Sequence, residues 1–542
     1  MQLPELIKRP TIVLVLFLIL GFLLRILFFE STSFGYDQAR DAFQAISIIT
    51  QHHLKIIGPT TDIKGLFHGP IFWYLIAPFY YFSGGNPQAA RLLMIGMNLV
   101  NVVFIYYFAK KMFKDEKVAL VSSFLFAVSF EAIQYARWIS NPPPAIFFIA
   151  LFFFGLWQVS EKKSWGLPLM TLALSFAVNF QLFLFYQVLF LIGAFLYLFF
   201  THRTVLVKDF KRNRWLYILS LLVLSPFAIA QVKFKFLGVH AVLSFLTKGK
   251  ESSEPLFPKL INFFNNKLIA NIAFNLTGHN MQVAVMLLIG LVGFLVYWLF
   301  MKKKYRKELL LLFVWLLSPV LIYAFEKNDS YFLNIGNIYP LILLTSFFVV
   351  YISQKLHRVG LLFLIFIVSL IAYLNISLVM ASNRNGETLF SVQYKQTLND
   401  EKKVIDYIYG ESGKKAFAIN SVTNPLYVNS TWAYLFDWYG RKKFGYMPVW
   451  LGYPLDDVGR DIKFSHFNGE QQDNLLYLII EPVGGIPIHY VNGYIEYENT
   501  RSKILIETKI GNFIVQKRVL VNNNGFVRED LEAHLYGGVL HR

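Results

Sequence analysis

The chain of 542 residues is 56% hydrophobic and 18% aromatic, and only 15% of its residues are charged. A soluble protein of this length cannot bury so much apolar surface, so the composition excludes an ordinary soluble enzyme. The net charge of +18 does not indicate nucleic-acid binding, because many basic residues lie in short loops between apolar runs. Since the chain has no cysteine, disulfides, thiolate metal sites and cysteine nucleophiles are also excluded.

Apolar runs of roughly 20 residues recur along the first 380 residues, which is typical of helices that cross a bilayer. The first run lacks a small-residue cleavage site, so we expect it to be retained rather than removed as a signal peptide. The boundary between the fifth and sixth runs is short, at residues 179–181. We predict eleven spans, at about 10–30, 88–110, 117–134, 143–159, 165–180, 182–200, 214–232, 281–301, 308–325, 335–354 and 359–380.

Basic residues concentrate in every second loop between these spans, which predicts a multi-pass cell-membrane protein with a cytoplasmic N-terminus. The segments expected on the outer face are the first loop and residues 131–144, 233–280, 326–334 and 383–542. We therefore predict a transmembrane domain at 1–382, with its first outer loop at 31–87, and an extracytoplasmic soluble domain at 383–542.

The C-terminal segment loses the long apolar runs and gains asparagine, glycine, lysine and aspartate, which predicts a small α/β domain. Short helices are expected at 404–411 and 434–439. Strands are expected at 415–420, 475–483, 492–499, 502–510 and 512–519, the last two joined by a Gly-Asn turn.

The first outer loop concentrates acidic residues in a chain that has few of them. From Tyr36 onward, polar and apolar residues alternate at spacings of three and four, which predicts an amphipathic helix lying on the bilayer surface. Asp37 and Asp41 would lie one turn apart on its wet face, and Asp62 follows in the same loop. Plainer interpretations stay open: Asp37 as a helix-start acid, Asp41 as a solvated polar residue and Asp62 as an ordinary loop aspartate.

Carboxylates on the outer face suit proton abstraction or metal binding. Nucleotide sugars are not supplied there, so an enzyme would use a lipid-anchored donor, and a departing phosphate needs cations rather than a general acid. His68, Arg91 and Arg137 are outward-facing candidates, with Lys233 and Lys235 as further cations. The alternatives are that both arginines are interface anchors and that His68 belongs to a turn. The glycosylation sequons at Asn275, Asn375 and Asn429 are assigned no role.

The segments YDQARDA, LFHGPIFWYLIAPFY and AARLLMIGMNLVNVVFIYYFAKKMF resemble the dolichyl-phosphate-mannose–protein mannosyltransferase superfamily and its bacterial aminoarabinose transferase relatives. The resemblance, strongest at the start of residues 1–380, implies the GT-C fold: a polytopic α-helical membrane protein of about eleven spans with a C-terminal extracytoplasmic α/β domain. The family's Asp-Glu pair is Asp37-Gln38 here, which puts metal binding in doubt, and its His-Pro-Pro is His68-Gly69-Pro70, which we expect to loosen the turn.

This resemblance implies an inverting transfer of one sugar from a polyprenyl-phosphate carrier to a hydroxyl on a protein, lipid or glycan acceptor, without nucleic acid. Asp37, or Asp41 in its place, would be the general base. Asp62, His68, Arg91 and Arg137 would bind the substrates, with Arg137 near the donor phosphate. Whether a divalent cation is needed stays open; if one binds, Mg or Mn, then Asp37, Asp41 and Asp62 would hold it.

Two other functions stay open: a transporter or flippase of lipid-linked sugars, and a non-catalytic envelope scaffold. A transporter predicts repeated halves and charges in mid-span. The sequence shows no internal repeat, and Arg25 is the main charge within a span, so the enzyme is favoured.

Overall fold

The computed structural model describes residues 9–61, 63–248, 255–323, 330–390, 395–426, 428–451, 474–482, 484 and 486–521. Asp62 lies outside them, so its predicted role has no structural counterpart here. The chain divides into two compact units. The membrane unit comprises Met1–Leu27, Leu54–Leu75 and Arg91–Ala381, and the α/β unit comprises Phe28–His53, Ile76–Ala90 and Ser382–Arg542.

Helices dominate the first 384 residues. The first ten are α1 Pro10–Ile26, α2 Tyr36–Thr50, α3 Ile71–Phe82, α4 Pro87–Phe113, α5 Glu116–Val128, α6 Phe130–Arg137, α7 Ala145–Ser160, α8 Gly166–Phe180, α9 Val188–Thr201 and α10 Arg203–Arg212. The next nine are α11 Arg214–Lys233, α12 Leu237–Lys248, α13 Leu256–Asn262, α14 Ile269–Leu276, α15 Met281–Met301, α16 Arg306–Leu317, α17 Val320–Tyr323, α18 Ile338–Lys355 and α19 Gly360–Arg384.

Among the described helices, six are long and apolar enough to cross a membrane, and the bent pair α5 and α6 makes a seventh. Helices α1, α7 and α8 coincide with predicted spans but are only 15 to 17 residues long. The span predicted at 308–325 is divided between α16 and α17. The multi-pass helical class is therefore confirmed, and the predicted break at residues 179–181 is present, since α8 ends at Phe180 and a 3₁₀ turn begins at Leu182.

Burial within the membrane unit separates a central helix from lipid-facing ones. Helix α18 is largely buried, whereas α9, α11, α15 and α19 expose most of their apolar residues, as helices in contact with lipid do. Helices α7 and α8 approach closely because each contributes a glycine. A Cβ added at Gly155 would lie 3.0 Å from the Gly166 carbonyl oxygen, so side chains there would push the two helices apart.

The predicted span at 117–134 is bent by 51° where α5 meets α6 at Ser129. No proline causes the bend. Asn375 Oδ1 accepts the backbone N–H of Phe130 at 2.7 Å, and Ser129 Oγ donates to Asn275 Oδ1 at 2.6 Å. The Asn375 side chain from another helix therefore replaces one backbone bond that the break removes, and Ser129, held by Asn275, accepts the N–H of Ala132.

The C-terminal segment of the α/β unit contains α20 Leu398–Ser412, β1 Ala418–Val422, α21 Ser430–Leu435, α22 Arg441–Phe444, β2 Val449–Trp450, β3 Leu475–Ile480, α23 Ile488–Arg501, β4 Ser502–Ile510 and β5 Phe513–Leu520. A π-helical turn, Phe436–Gly440, joins α21 to α22. The sheet order is β2-β1-β3-β5-β4, with β1 parallel to both neighbours and β5 antiparallel to both. The predicted α/β class is confirmed.

The strand predicted at 492–499 is wrong, because those residues lie in α23. Val491, Tyr494 and Glu498 are spaced at three and four and are buried, and the first two pack against Val422 and Leu478 of the sheet. The aromatic and β-branched residues of this segment, Tyr494, Ile495 and Tyr497, favoured a strand, but burial follows the helical period.

Candidate active site

Two aspartates predicted as catalytic lie on α2 and share one arginine. Arg40 Nη1 lies 2.8 Å from Asp37 Oδ1, and Arg40 Nη2 lies 2.9 Å from Asp41 Oδ1. Arg40 Nε also donates to Asp41 Oδ1 at 3.0 Å. The spacing accounts for the Asp37–Arg40 pair, since residues i and i+3 are neighbours on a helix. Arg40 reaches the adjacent Asp41 through the length of its own side chain. We call Asp37, Arg40 and Asp41 the clamp.

The prediction that α2 lies on the bilayer surface with a solvent-exposed polar face is wrong for Arg40 and Asp41 of the clamp. The side chain of Asp37 is 46% exposed, but Asp41 is fully buried and Arg40 is 7% exposed. Within the α/β unit, Phe43 of α2 packs edge-on against Tyr434 of α21, with ring centroids 5.1 Å apart. Helix α2 is therefore covered by the C-terminal segment, so Asp41 is not a solvated surface residue.

Burial and charge act in opposite directions on the pKa of Arg40. Burial would lower it, but the carboxylates of Asp41 and Asp37 outweigh that effect and raise the pKa of Arg40 above its ordinary value. Arg40 is consequently a permanent cation that neutralises a buried carboxylate and orients a half-exposed one. Among the described residues, no three His, Asp or Glu side chains are grouped so as to hold a metal ion.

His68 belongs to a short antiparallel ladder in the membrane unit. Its backbone N–H donates to Pro59, and its carbonyl accepts from Gly58, each at 2.9 Å. The ring Nδ1 accepts the backbone N–H of Leu182 at 3.1 Å, which leaves Nε2 as the protonated nitrogen. His68 is 8% exposed and its ring is fixed, unlike that of an unconstrained turn histidine.

The expected loosening of the turn at Gly69 is wrong. The Gly69 N–H donates to the Asn179 carbonyl at 3.0 Å. A Cβ at residue 69 would lie only 1.9 Å from Asn179 Oδ1, so no larger residue fits without displacing Asn179. Glycine is required here by close packing against the C-terminal end of α8.

A cavity of about 380 Å³ has His68 in its wall. Most of its other lining residues are apolar and come from the 56–67 loop, the start of the sixth span and helices α11 and α12. Gln231 is a further polar lining residue. Pockets of roughly 300–1,000 Å³ with few polar groups are typical of small-molecule and lipid sites.

Arg91 and Arg137 both donate hydrogen bonds to backbone carbonyls at the C-terminal end of α1, in the membrane unit. Arg91 Nη2 donates to the Arg25 carbonyl at 3.2 Å, and Arg137 Nη1 donates to the Leu27 carbonyl at 3.0 Å. Arg91 is fully buried and Arg137 is 7% exposed, so neither is an anchor reaching into the interface. Cations at a helix C-terminus are favoured by the helix dipole.

Arg25 and Glu131 were not predicted as site residues, although both are fully buried. Arg25 donates to Asn98 Oδ1 at 2.8 Å and to the Ala127 carbonyl at 2.8 Å. Glu131 Oε2 accepts from three side chains of other segments, at 2.6 to 2.9 Å: Asn271, Asn275 and Tyr331. Arg25 could have been recognised from the sequence, because it is a charged residue inside an apolar run. Nothing in the sequence indicates which residues donate to Glu131.

The predicted residues therefore fall into two groups. The α/β unit holds Asp37 and Asp41 in the clamp. The membrane unit holds Arg91 and Arg137 at the end of α1, and His68 beside the apolar cavity.

Comparisons with known proteins agree with this fold. Residues 67–230 match the family model of dolichyl-phosphate-mannose-protein mannosyltransferase. ArnT from Cupriavidus metallidurans bound to undecaprenyl phosphate has a TM-score of 0.52 at 10% identity, covering 93% of this chain and 97% of that chain. Its apo state gives 0.54 at 9% identity with the same coverage. The oligosaccharyltransferase AglB from Archaeoglobus fulgidus, in complex with an inhibitory peptide and a dolichol-phosphate, gives 0.46 at 14%, covering 82% and 64%. No curated protein matches the sequence.

The chain is thus a multi-pass membrane protein with the GT-C fold. The resemblance predicted from its first outer loop is confirmed by the match to the dolichyl-phosphate-mannose-protein mannosyltransferase family. That match includes His68, Arg91 and Arg137 but begins after Asp37 and Asp41.

Proposed function

We propose that the protein is a membrane glycosyltransferase that moves a single sugar from a polyprenyl-phosphate carrier to a hydroxyl acceptor on the outer face. The observation that carries the proposal is the apolar cavity that has His68 in its wall. His68 lies in the segment that matches the mannosyltransferase family, and the cavity extends beyond that segment on both sides. A polyprenyl chain needs an apolar groove, and its phosphate needs a fixed hydrogen-bond donor at one end of it.

In the proposed reaction Asp37 takes the proton of the acceptor hydroxyl as its oxygen attacks the anomeric carbon. The bond from that carbon to the phosphate oxygen breaks, and the electron pair leaves on the carrier phosphate. One displacement inverts the configuration at that carbon. The ion pair with Arg40 supports the role of Asp37, because it holds the carboxylate in one orientation.

Cations stabilise the departing phosphate in this scheme. Arg137 would do so with Arg91 or with Nε2–H of His68, through charge-assisted hydrogen bonds. Asp41 or Asp62 would position the sugar or bind a divalent cation. The clamp favours positioning for Asp41, because its Oδ1 already faces the Arg40 guanidinium.

The experiment uses the full chain in lipid nanodiscs with a panel of radiolabelled polyprenyl-phosphate sugars and a cell-envelope extract. Asp37→Asn should lower transfer by about 10²- to 10⁴-fold, the usual contribution of a general base. Asp406→Asn is the matched control, since Asp406 is a partly exposed aspartate of the α/β unit paired with Lys443. It should leave transfer unchanged.

The alternatives give different results in the same assay. Transfer that survives Asp37→Asn would move the base to Asp41 or Asp62. If the wild type releases no sugar from any donor, but labelled lipid crosses the bilayer when the same protein is placed in sealed liposomes, the enzyme is refuted in favour of the flippase.

A further inference from the structure

A second cavity, of about 360 Å³, lies wholly within the α/β unit and is not used by the proposed mechanism. Three segments form it: the C-terminal half of α2, residues 80–85 and the helical turns from Tyr434 to Lys442. The last of these belongs to the C-terminal domain, to which the sequence assigned no role.

Aromatic rings form much of the cavity wall. Tyr81 is 49% exposed and Trp438 is half-buried, so both present ring surface to a ligand. Tyr434 is held in place, since its hydroxyl donates to the Gly85 carbonyl and its ring packs against Phe43 and Tyr80. A rigid wall of aromatic faces suits the flat faces of a sugar. The C–H hydrogens of the sugar carry partial positive charge and are attracted to the negative face of an aromatic ring.

The polar groups of the cavity can hydrogen-bond hydroxyls, and its three charged side chains, Asp437, Arg441 and Lys442, sum to one positive charge. Asp437 Oδ1 accepts from Arg441 Nε at 2.8 Å, so the guanidinium charge is already balanced. The Lys442 ammonium donates to the Gly84 carbonyl. A carboxylate beside a guanidinium offers acceptors and donors in one plane, to which vicinal hydroxyls bind well. A lipid phosphate would meet the charge of Lys442 alone, since the Asp437–Arg441 pair is neutral, and competition by anionic lipid distinguishes this ligand from a sugar.

Helix α2 connects this cavity to the proposed base. Asp37 is in the first turn of α2, and the α2 residues that line the cavity follow it along the helix axis, from Phe43 onward. They point about 80–180° away from Asp37 around the helix. At 1.5 Å per residue, the near end lies about 9 Å and the far end about 21 Å along the axis from Asp37. A short oligosaccharide covers this distance.

We infer that this cavity binds sugar residues of a glycan acceptor and that the α/β unit selects the acceptor. The inference rests on the proposed glycosyltransferase function, because it names the acceptor of that reaction. Trp438 and Tyr81 stack on the sugar, and the Asp437–Arg441 pair binds its hydroxyls.

The test measures binding of soluble neutral oligosaccharides, built from hexoses, N-acetylhexosamines and pentoses, to the full chain in nanodiscs. Wild type should bind a subset saturably, and Trp438→Ala should weaken that binding at least about tenfold, as truncation of an aromatic anchor does. Trp438→Phe keeps a ring and should lose less. Tyr490→Ala is the control and should bind like wild type. Tyr490 is an aromatic residue of the same unit, is 52% exposed and lies outside the cavity.

Release of polyprenyl phosphate from the labelled donor is measured in the same preparation. If the wild type releases it but binds no oligosaccharide, the inference fails while the proposed function stands. Oligosaccharide binding without release supports the cavity and refutes the transferase. Binding that is equal in wild type and Trp438→Ala, or competed away by peptides or anionic lipid rather than by sugars, overturns the inference.

Discussion

Replacing Arg40 with methionine tests the clamp most directly. Methionine keeps the length of the side chain but removes the charge and all five N–H donors. Asp41 is fully buried and would then be a carboxylate without its ion-pair partner. Asp37 would lose the same partner but is half exposed, so water can replace it.

These exposures set the expected magnitudes. Removing one member of a buried ion pair costs about 3–5 kcal/mol, because the other charge stays uncompensated. An exposed pair is worth about 0.2–1 kcal/mol. Arg40→Met should therefore destabilise α2 several-fold more than Asp37→Asn. The double variant Arg40→Met/Asp41→Asn should be more stable than Arg40→Met alone, because it removes the uncompensated charge.

Hydrogen exchange of the α2 backbone amides, in the full chain in nanodiscs, gives the opening free energy of this helix. The four proteins are wild type, both single variants and the double variant. The reasoning is refuted if Arg40→Met lowers the opening free energy no more than Asp37→Asn does, or if Asp41→Asn added to Arg40→Met destabilises the helix further.

Two further predictions concern stability. Burial raises the pKa of Glu481 to about 8, whereas an unfolded glutamate titrates near 4.3. The folded unit therefore keeps a proton that the unfolded chain loses, and its stability should fall by about 4 kcal/mol between pH 5 and 9. Glu481→Gln should remove this part of the pH dependence, measured by hydrogen exchange of β3, and leave the part due to Glu401, whose pKa is also raised by burial and by the charge of Glu481. The exposed control Glu496→Gln should leave the profile unchanged. Gly69→Ala should cost about 1–3 kcal/mol by overpacking Asn179, whereas Gly96→Ala, where an added Cβ meets nothing within 4 Å, should be tolerated in a thermal melt.

The helices of the membrane unit could be predicted because apolarity over a span's length is a local signal. The break at Gln181 and the turn at Gly511, which joins β4 to β5, could also be predicted because each depends on neighbouring residues. The bend at Ser129 was not, because it depends on Asn275 and Asn375, which lie far along the chain. The strand prediction for 492–499 was wrong because the pattern of a short run does not distinguish a strand from a helix packed on one side.

The candidate site divides in the same way. The helix that starts at Tyr36 followed from its periodicity, and Arg40 was visible three residues after Asp37. Its burial was not, because the residues that cover α2 are nearly 400 positions later, around Tyr434. Periodicity reports that a helix has two faces, but it does not report whether water or protein covers the polar one.

The sequons show how buried polar residues of the membrane unit support the site rather than carry a modification. Asn275 is 3% exposed and Asn375 is fully buried, so neither amide is accessible to a transferase. Asn275 donates to Glu131, and Asn375 accepts the first N–H of α6, the helix that ends at Arg137. These contacts fix both the start of α6 and the bend before it. Because a helix is rigid over two turns, the same contacts also fix where Arg137 emerges. The buried residues Ser129, Asn275 and Asn375 therefore position α6 and, with it, Arg137.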